Sequence, residues 1–513
     1  MPYVVLFSAC FAHAVYVLLS GVSNPLLDLF SFRQTQTAIT AYWIWHDGLR
    51  LAYETPVLGY PWPIPLEFPL FQWLTASLRS LGVPIDVGGR FIAFAFYIAI
   101  LYPLWLLARE LGFNLVAWLI VATLFLASPL YVYWSRTVMI ESSALFFSMS
   151  ALAFTTKYLK DPRPLPLIFS LIAGCFATLT KATTFPAYAF LAGLVILSQA
   201  IMWLRKGPSI SQARSLVLAT AAIIVPFFIG FLWVWYTDHI KLQNPFGAHL
   251  TSASLTKMGW AFAGTDELIS LKFWQDIFIA RVLTDIFGYA YLLAPVAALA
   301  AFLQRKFALP MLAAAVGFII PFVLFTNLHA VHSYYQYANG LLALVAVGLG
   351  ISAVGEAGQR TIATILLTVV VTGQLAYFHL GDLRPIGVPG KSYADVTKID
   401  FSRDPIFKIS RATRKLVPAD QRILVLGQDW SSAIPYYSER KALVLPNWFP
   451  MDLTVQALQN PERFLEGKLG AVIYCSGYYG YNEKTSLIED FLAGRSVLKR
   501  AGTCQLLSPL VRR

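Results

Sequence analysis

The chain is dominated by apolar runs of about twenty residues, each long enough to carry a helix across a bilayer. Roughly eleven such runs meet that length, at 3–20, 89–108, 112–130, 140–158, 164–182, 184–204, 214–235, 284–304, 307–326, 335–353 and 360–378. Backbone inside hydrocarbon must satisfy its own hydrogen bonds, so these runs read as transmembrane helices. Several are separated by very short turns and are expected to form antiparallel hairpins. Composition agrees. The chain is 57% hydrophobic and only 13% charged, where soluble domains average about 25% charged. The expected fold is an α-helical polytopic membrane protein of about eleven transmembrane helices within 1–380, followed by a small extracytoplasmic α/β domain over 381–513. Residues 2–20 lack a basic leader and a small-residue cleavage site, so they are expected to stay as the first span.

A net charge of +12 could point to nucleic acid, but the basic residues are dispersed and form no recognition motif, so nucleic acid is not expected as a partner. Arg109; Lys157, Lys160 and Arg163; Arg205, Lys206 and Arg214; Arg305 and Lys306; and Arg360 fall on alternate connections. By the positive-inside rule these connections are cytoplasmic, which places the N-terminus there too. The intervening connections carry aromatics instead, such as Tyr131, Tyr133 and Trp134. An odd number of spans then leaves the tail outside. Cys475 and Cys504 lie in that tail and would pair if it meets an oxidising space; spacing alone leaves this open.

Two outer connections are long, 21–88 and 237–283. In the first, Ala38, Tyr42, Trp45 and Leu49 recur on one helical face, as do Leu66, Leu70, Trp73, Leu74, Leu78 and Leu81. Between them lies a proline-rich turn, Pro56 to Pro69. Two amphipathic helices joined in this way are expected to lie on the membrane surface, against its lipids, and rim a site beneath. The second loop is long enough to serve as a substrate lid. In the tail, the apolar stretches RILVLGQ, KALVLP, GAVIYCS and CQLLSPL alternate with helical patterns, which predicts β-α-β alternation. No glycine fingerprint for a dinucleotide follows a strand.

Ionisable side chains near spans are costly and by default mark function. On the outer side they are Asp28 with Arg33 and Gln34; Arg136 with Glu141; Lys181; and His329 and His332 beside Tyr334 and Tyr335. These groups suit sugar transfer from a phosphate carrier. A carboxylate takes the acceptor proton, and Arg and Lys hold the charge that develops on the leaving oxygens. Each also has a plainer account. Asp28 fits a cap for a helix starting near Phe30, Glu141 fits a partner for Arg136, and Lys181 and the tyrosines fit interfacial anchors.

The motifs DLFSFRQTQTA from Asp28, SRTVMIESSALFF around Glu141, TLTK ending at Lys181, HSYYQYANGLLAL around His332 and QDWSSAIPYYSERKALVL in the tail follow one another in the chain. In that order they resemble the C-type membrane glycosyltransferases, in particular the branch of bacterial protein mannosyltransferases and lipid A aminoarabinose or galacturonic acid transferases. Asp28 matches the acid that opens the first outer loop. Glu141 matches the second acid after the third span, as glutamate where many relatives carry aspartate. The first acid is not followed by another, which departs from the mannosyltransferase pattern. The resemblance implies an inverting transfer from a polyprenyl-phosphate sugar to a lipid, glycan or protein acceptor, at the outer face of a bacterial cytoplasmic membrane. Asp28 and Glu141 would be catalytic; Arg33, Gln34, Arg136, Lys181, His332, Tyr334 and Tyr335 would bind substrate. Acids near phosphate are compatible with a divalent cation, although no metal-ligand cluster is legible. A rival expectation is a polytopic transporter or glycolipid flippase. Against it, the polar groups gather toward one face and no internal repeat is visible.

Overall fold

A computed structural model describes residues 2–207, 209–260, 265–477 and 482–511. Part of the expected second outer loop, 261–264, and part of the tail, 478–481, lie outside the described residues. Among the described residues seven helices are long and apolar enough to cross a membrane, or eight if a pair bent by 78° (Phe273–Ala290 with Leu293–Leu303) counts as one span. The protein is thus a multi-pass membrane protein. Length and composition alone do not admit all of the roughly eleven runs counted by the twenty-residue rule. Two of the remainder are shorter apolar helices, Leu115–Ala127 and Gly340–Glu356. The third, Glu141–Lys160, is full length but carries Glu141, Ser142, Ser143, Ser148 and Ser150 on buried positions.

The chain divides into two compact units. The first comprises Met1–Val22, Arg90–Trp233 and Met258–Lys398 and is a helical bundle. Its helices approach closely at small residues, as membrane helices do. A Cβ added at Gly350 would stand 1.9 Å from the carbonyl oxygen of Ala297, so only glycine fits there. An apolar cavity of about 600 Å³ is lined by Leu104, Trp118, Met149, Leu191, Pro310 and Leu349 among others. It carries no ionisable side chain and is not where charge chemistry takes place.

The second unit comprises Ser23–Gly89, Val234–Lys257 and Ile399–Arg513. It draws on three stretches of chain rather than on 381–513 alone. Its centre is a five-stranded sheet in the order β2-β1-β3-β5-β4, with β1 Arg422–Leu426, β2 Ala442–Leu445, β3 Leu469–Cys475, β4 Arg495–Ala501 and β5 Cys504–Val511. β1 is parallel to β2 and β3; β5 is antiparallel to β3 and β4. The expected β-α-β alternation is present, with helices Ala433–Ser438, Met451–Gln459 and Thr485–Leu492 between strands. Cys475 and Cys504 sit opposite each other on β3 and β5 and form a disulfide.

The proline-rich turn of the first long loop does not stand apart from this sheet. Ala442 N–H donates to the Pro56 carbonyl at 3.0 Å, Val444 N–H to Val57 at 2.7 Å, and Gly59 N–H to Ala442 at 3.0 Å. The turn therefore covers the free edge of β2, which would otherwise present unpaired backbone groups. Gly59 has a left-handed φ of 73°, and a Cβ there would lie 2.5 Å from the Phe464 carbonyl. Helices flank the turn over Ser31–Asp47 and Leu70–Ser80, so Leu49, Leu66 and Leu81 of the expected faces fall outside them.

The segment after Trp233 is tied to this turn through Asn244. Asn244, fully buried, donates to the carbonyls of Leu58, Gly59 and Pro61 at 2.8–3.2 Å. It accepts from Phe246 N–H and Gly247 N–H at 2.8 Å each. One amide thus ties 234–257 to the turn that edges the sheet. Asn244→Ala strands buried donors and acceptors at once, so it is expected to lower stability by about 2–3 kcal/mol. Unfolding of the purified protein in denaturant reads this; an unchanged midpoint would show that the tie is dispensable.

Candidate functional site

The first unit builds its polar end from a hairpin. Helix Glu141–Lys160 has 20 residues and helix Pro164–Lys181 has 18. Packed antiparallel, they bring the first residue of one beside the last residue of the other. The Lys181 Nζ lies 3.0 Å from Glu141 Oε1. A carboxylate at a helix start and an ammonium at a helix end each also complement the helix dipole. Both side chains are sequestered, with exposures of 10% for Lys181 and 2% for Glu141. The pairing of Glu141 is thus to a residue forty positions on in the chain.

A tight 3₁₀ turn, Ser333–Tyr337, adds the aromatic part. The rings of His332 and Tyr334 stack at 5.1 Å, those of Tyr334 and Tyr335 at 5.1 Å, and those of His332 and Tyr335 at 5.8 Å. Lys181 Nζ sits 3.9 Å from the Tyr335 ring centre and 5.2 Å from that of Tyr334. A cation over an aromatic face is attracted to it, the more so where water is excluded. Trp134 meets Tyr334 edge to face at 5.9 Å. So Glu141, Lys181, His332, Tyr334 and Tyr335 come together.

Arg136 belongs to the same unit and is 1% exposed. Its guanidinium lies 5.3 Å from the Tyr133 ring centre. A Cβ at Gly21 would stand 3.0 Å from Arg136 Nη2 and 2.8 Å from the Thr397 carbonyl, so a larger residue at 21 would push on the guanidinium. His329 is buried, and burial with the charges of Lys181 and Arg281 drives its imidazole down to about 3. It is therefore neutral and cannot hold an anion by charge.

Several buried polar atoms near the pair have no hydrogen-bond partner among the described residues. They are Glu141 Oε2, Thr180 Oγ1, Thr183 Oγ1 and Ser333 Oγ. Native interiors satisfy nearly all such groups, so each one is informative. The last three are hydroxyls of residues one or two positions from Lys181 or Tyr334 in the chain.

In the second unit Asp28 lies on an irregular turn ahead of helix Ser31–Asp47 and is 7% exposed. Gln34 Nε2 donates to Asp28 Oδ1 and, at 2.9 Å, to the Leu29 carbonyl. The N-cap position of this helix is Phe30. Its φ of 52° and ψ of 44° are left-handed. That conformation costs a bulky residue about 1–2 kcal/mol, and persists only where the surroundings hold it.

Arg33 pairs with Glu67 at 2.9 Å and also donates to Gln36 Oε1. Glu67 was not singled out in the sequence, where it reads as one polar residue in a proline-rich turn. Two more buried ionisable groups in the first unit were also missed. Arg281 donates to the His329 and Ala330 carbonyls, and Asp285 accepts from Tyr393 Oη at 2.9 Å. Their i, i+4 spacing within an apolar run is the signal that could have found them. Among the described residues no group of three or more His, Cys, Asp or Glu converges as a metal site.

With a helical membrane domain and a small sheet unit, the chain has the fold of the C-type membrane glycosyltransferases. It is similar to the structure of ArnT from Cupriavidus metallidurans bound to undecaprenyl phosphate, with a TM-score of 0.64 at 14% identity over 99% of this chain and 98% of that one. It is also similar to the oligosaccharyltransferase AglB from Archaeoglobus fulgidus in complex with an inhibitory peptide and a dolichol-phosphate, with a TM-score of 0.52 at 13% identity over 98% of this chain and 74% of that one. At such identities the likeness shows the fold. No protein-family model matches the sequence, and no curated protein matches it.

Proposed function

We propose that the chain is an inverting glycosyltransferase that moves a sugar from a polyprenyl-phosphate carrier to a lipid, glycan or protein acceptor at the outer face of the cytoplasmic membrane. The observation that carries this is the set around Lys181: a buried ammonium paired to Glu141 and resting on Tyr335. The phosphodiester of the carrier-linked sugar and the phosphate monoester that leaves both offer acceptor oxygens to such a cation. Two structures of similar fold bear on the carrier, since one is bound to undecaprenyl phosphate and the other to a dolichol-phosphate.

In this reading the acceptor oxygen attacks the anomeric carbon while the bond from that carbon to the phosphate oxygen breaks. Asp28 takes the acceptor proton. Lys181, with Arg136, takes up the charge left on the phosphate. One displacement inverts the anomeric centre, by analogy with inverting glycosidases. Glu141 sets the position of Lys181; His332, Tyr334 and Tyr335 line the sugar side, and Gln34 orients Asp28. Arg33 reaches phosphate only by leaving Glu67. The cytoplasmic N-terminus and external tail are supported by the basic connections and by the cysteine pair, which belongs in an oxidising space.

Titration of the purified chain with undecaprenyl phosphate, followed by native mass spectrometry, tests the carrier site. One lipid phosphate is expected to bind, with at least tenfold weaker binding for Lys181→Met, the loss of one charge-assisted contact. Equal affinity for both proteins would remove Lys181 from the phosphate site.

A further inference from the structure

The tail motif Pro435–Tyr436–Tyr437 has no part in the chemistry above, yet it reaches the Asp28 turn. Leu26 N–H, two residues before Asp28, donates to Tyr437 Oη at 2.5 Å. Tyr437 Oη in turn donates to Asp86 Oδ2 at 2.9 Å, and Tyr436 Oη donates to Asp86 Oδ1. Two further contacts tie the same turn to the tail. Asn24 Nδ2 donates to the Ile399 carbonyl at 3.1 Å, and Phe32 meets Trp430 edge to face at 4.9 Å. All of these residues belong to the second unit.

We propose that Tyr437, charged through Asp86, is a positioning residue for Asp28, and that the α/β tail is thereby a working part of the transferase. The inference rests on the proposed role of Asp28 as base. Three physical points support it. First, the turn has no regular structure of its own and includes the left-handed Phe30, so its shape is imposed from outside. Second, a phenol that donates to a carboxylate becomes a better acceptor, so Asp86 strengthens the bond from Leu26 N–H. Third, Asp86 accepts from both tyrosines at once, which fixes the phenol of Tyr437 in the one rotation that leaves its lone pair toward Leu26. Asp86 stands on the second residue of helix Ile85–Ala99, so the latch joins the two ends of the first long loop.

The rings are held independently of their hydroxyls. Tyr437 packs on Phe407 at 4.9 Å and on Tyr436 at 4.7 Å. Tyr437→Phe therefore removes the latch while keeping the packing. In the full chain it is expected to lower kcat for sugar transfer by about ten- to a hundredfold, as misplacement of a reacting group by an ångström does. KM for the polyprenyl-phosphate donor should stay within twofold. Amide exchange at Leu26 should accelerate. Asp86→Asn, which cannot accept from both hydroxyls with the same charge, should act in the same direction. In an Asp28→Asn background Tyr437→Phe should cost nothing further, because its effect passes through Asp28. A kcat for Tyr437→Phe within twofold of the parent, or the same factor lost again on top of Asp28→Asn, would overturn the proposal. Full activity of Asp28→Asn by itself would instead remove the base, and amide exchange at Leu26 would still report on the latch.

Discussion

Asp28→Asn is expected to lower kcat for sugar transfer by about a thousandfold while the protein stays folded, since a positioned general base contributes on the order of 10²–10⁴. The substitution keeps the shape of the side chain. Asparagine retains a carbonyl oxygen for the Gln34 amide, whose other bond goes to the Leu29 carbonyl. The backbone bond from Ser31 N–H to the Asp28 carbonyl is untouched. What is lost is the capacity to take a proton. Asp28→Ala is expected to be as inactive and also less stable by about 1 kcal/mol, because it removes one acceptor of the buried Gln34 amide. Comparing the two variants separates chemistry from architecture: if Asp28→Asn transfers sugar normally while only Asp28→Ala is impaired, Asp28 is a structural residue.

Lys181→Met is the second large effect, and it falls first on stability. Glu141 is buried, as is its ion pair to Lys181. Removing one partner of such a pair leaves an uncompensated charge and costs about 3–5 kcal/mol. Replacing both partners removes the charge that had to be compensated. The double variant Glu141→Gln with Lys181→Met is therefore expected to regain most of that stability. It is not expected to regain affinity for undecaprenyl phosphate, because the ammonium is still missing. Denaturant midpoints and lipid titration on the single and double variants read the two effects apart. Recovery of both in the double variant would reduce Lys181 to a structural counter-ion.

Much of this was legible in the sequence because it depends on length and period. The apolar runs mark the helices. Two consecutive runs of similar length imply that Glu141 and Lys181 lie at one end of a hairpin. RILVLGQ, KALVLP, GAVIYCS and CQLLSPL became β1, β2, β3 and β5. β4 escaped because it is an edge strand bearing Arg495, Lys499 and Arg500, with no apolar alternation to betray it. Pairings between distant segments were not legible. Nothing in the local pattern of Pro56–Gly59 says that it will edge β2, or that Asn244 will tie it down. Tyr437 and Asp86 are separated by 351 positions, and each alone reads as an ordinary residue at a helix end. The stacking of Tyr334 and Tyr335 on Lys181 needed a 3₁₀ turn, which a helical period does not predict.

Transfer of sugar, rather than carriage of lipid across the bilayer, is the activity proposed for this membrane protein. It is tested by incubating the purified chain in detergent, where no two compartments exist, with lipid-linked sugars and acceptor lipids extracted from the source membranes. Free polyprenyl phosphate is expected to be released, in a reaction that requires the acceptor fraction and is abolished by Asp28→Asn. Lipid-linked sugar that stays intact in detergent, and changes only in sealed vesicles, would contradict it.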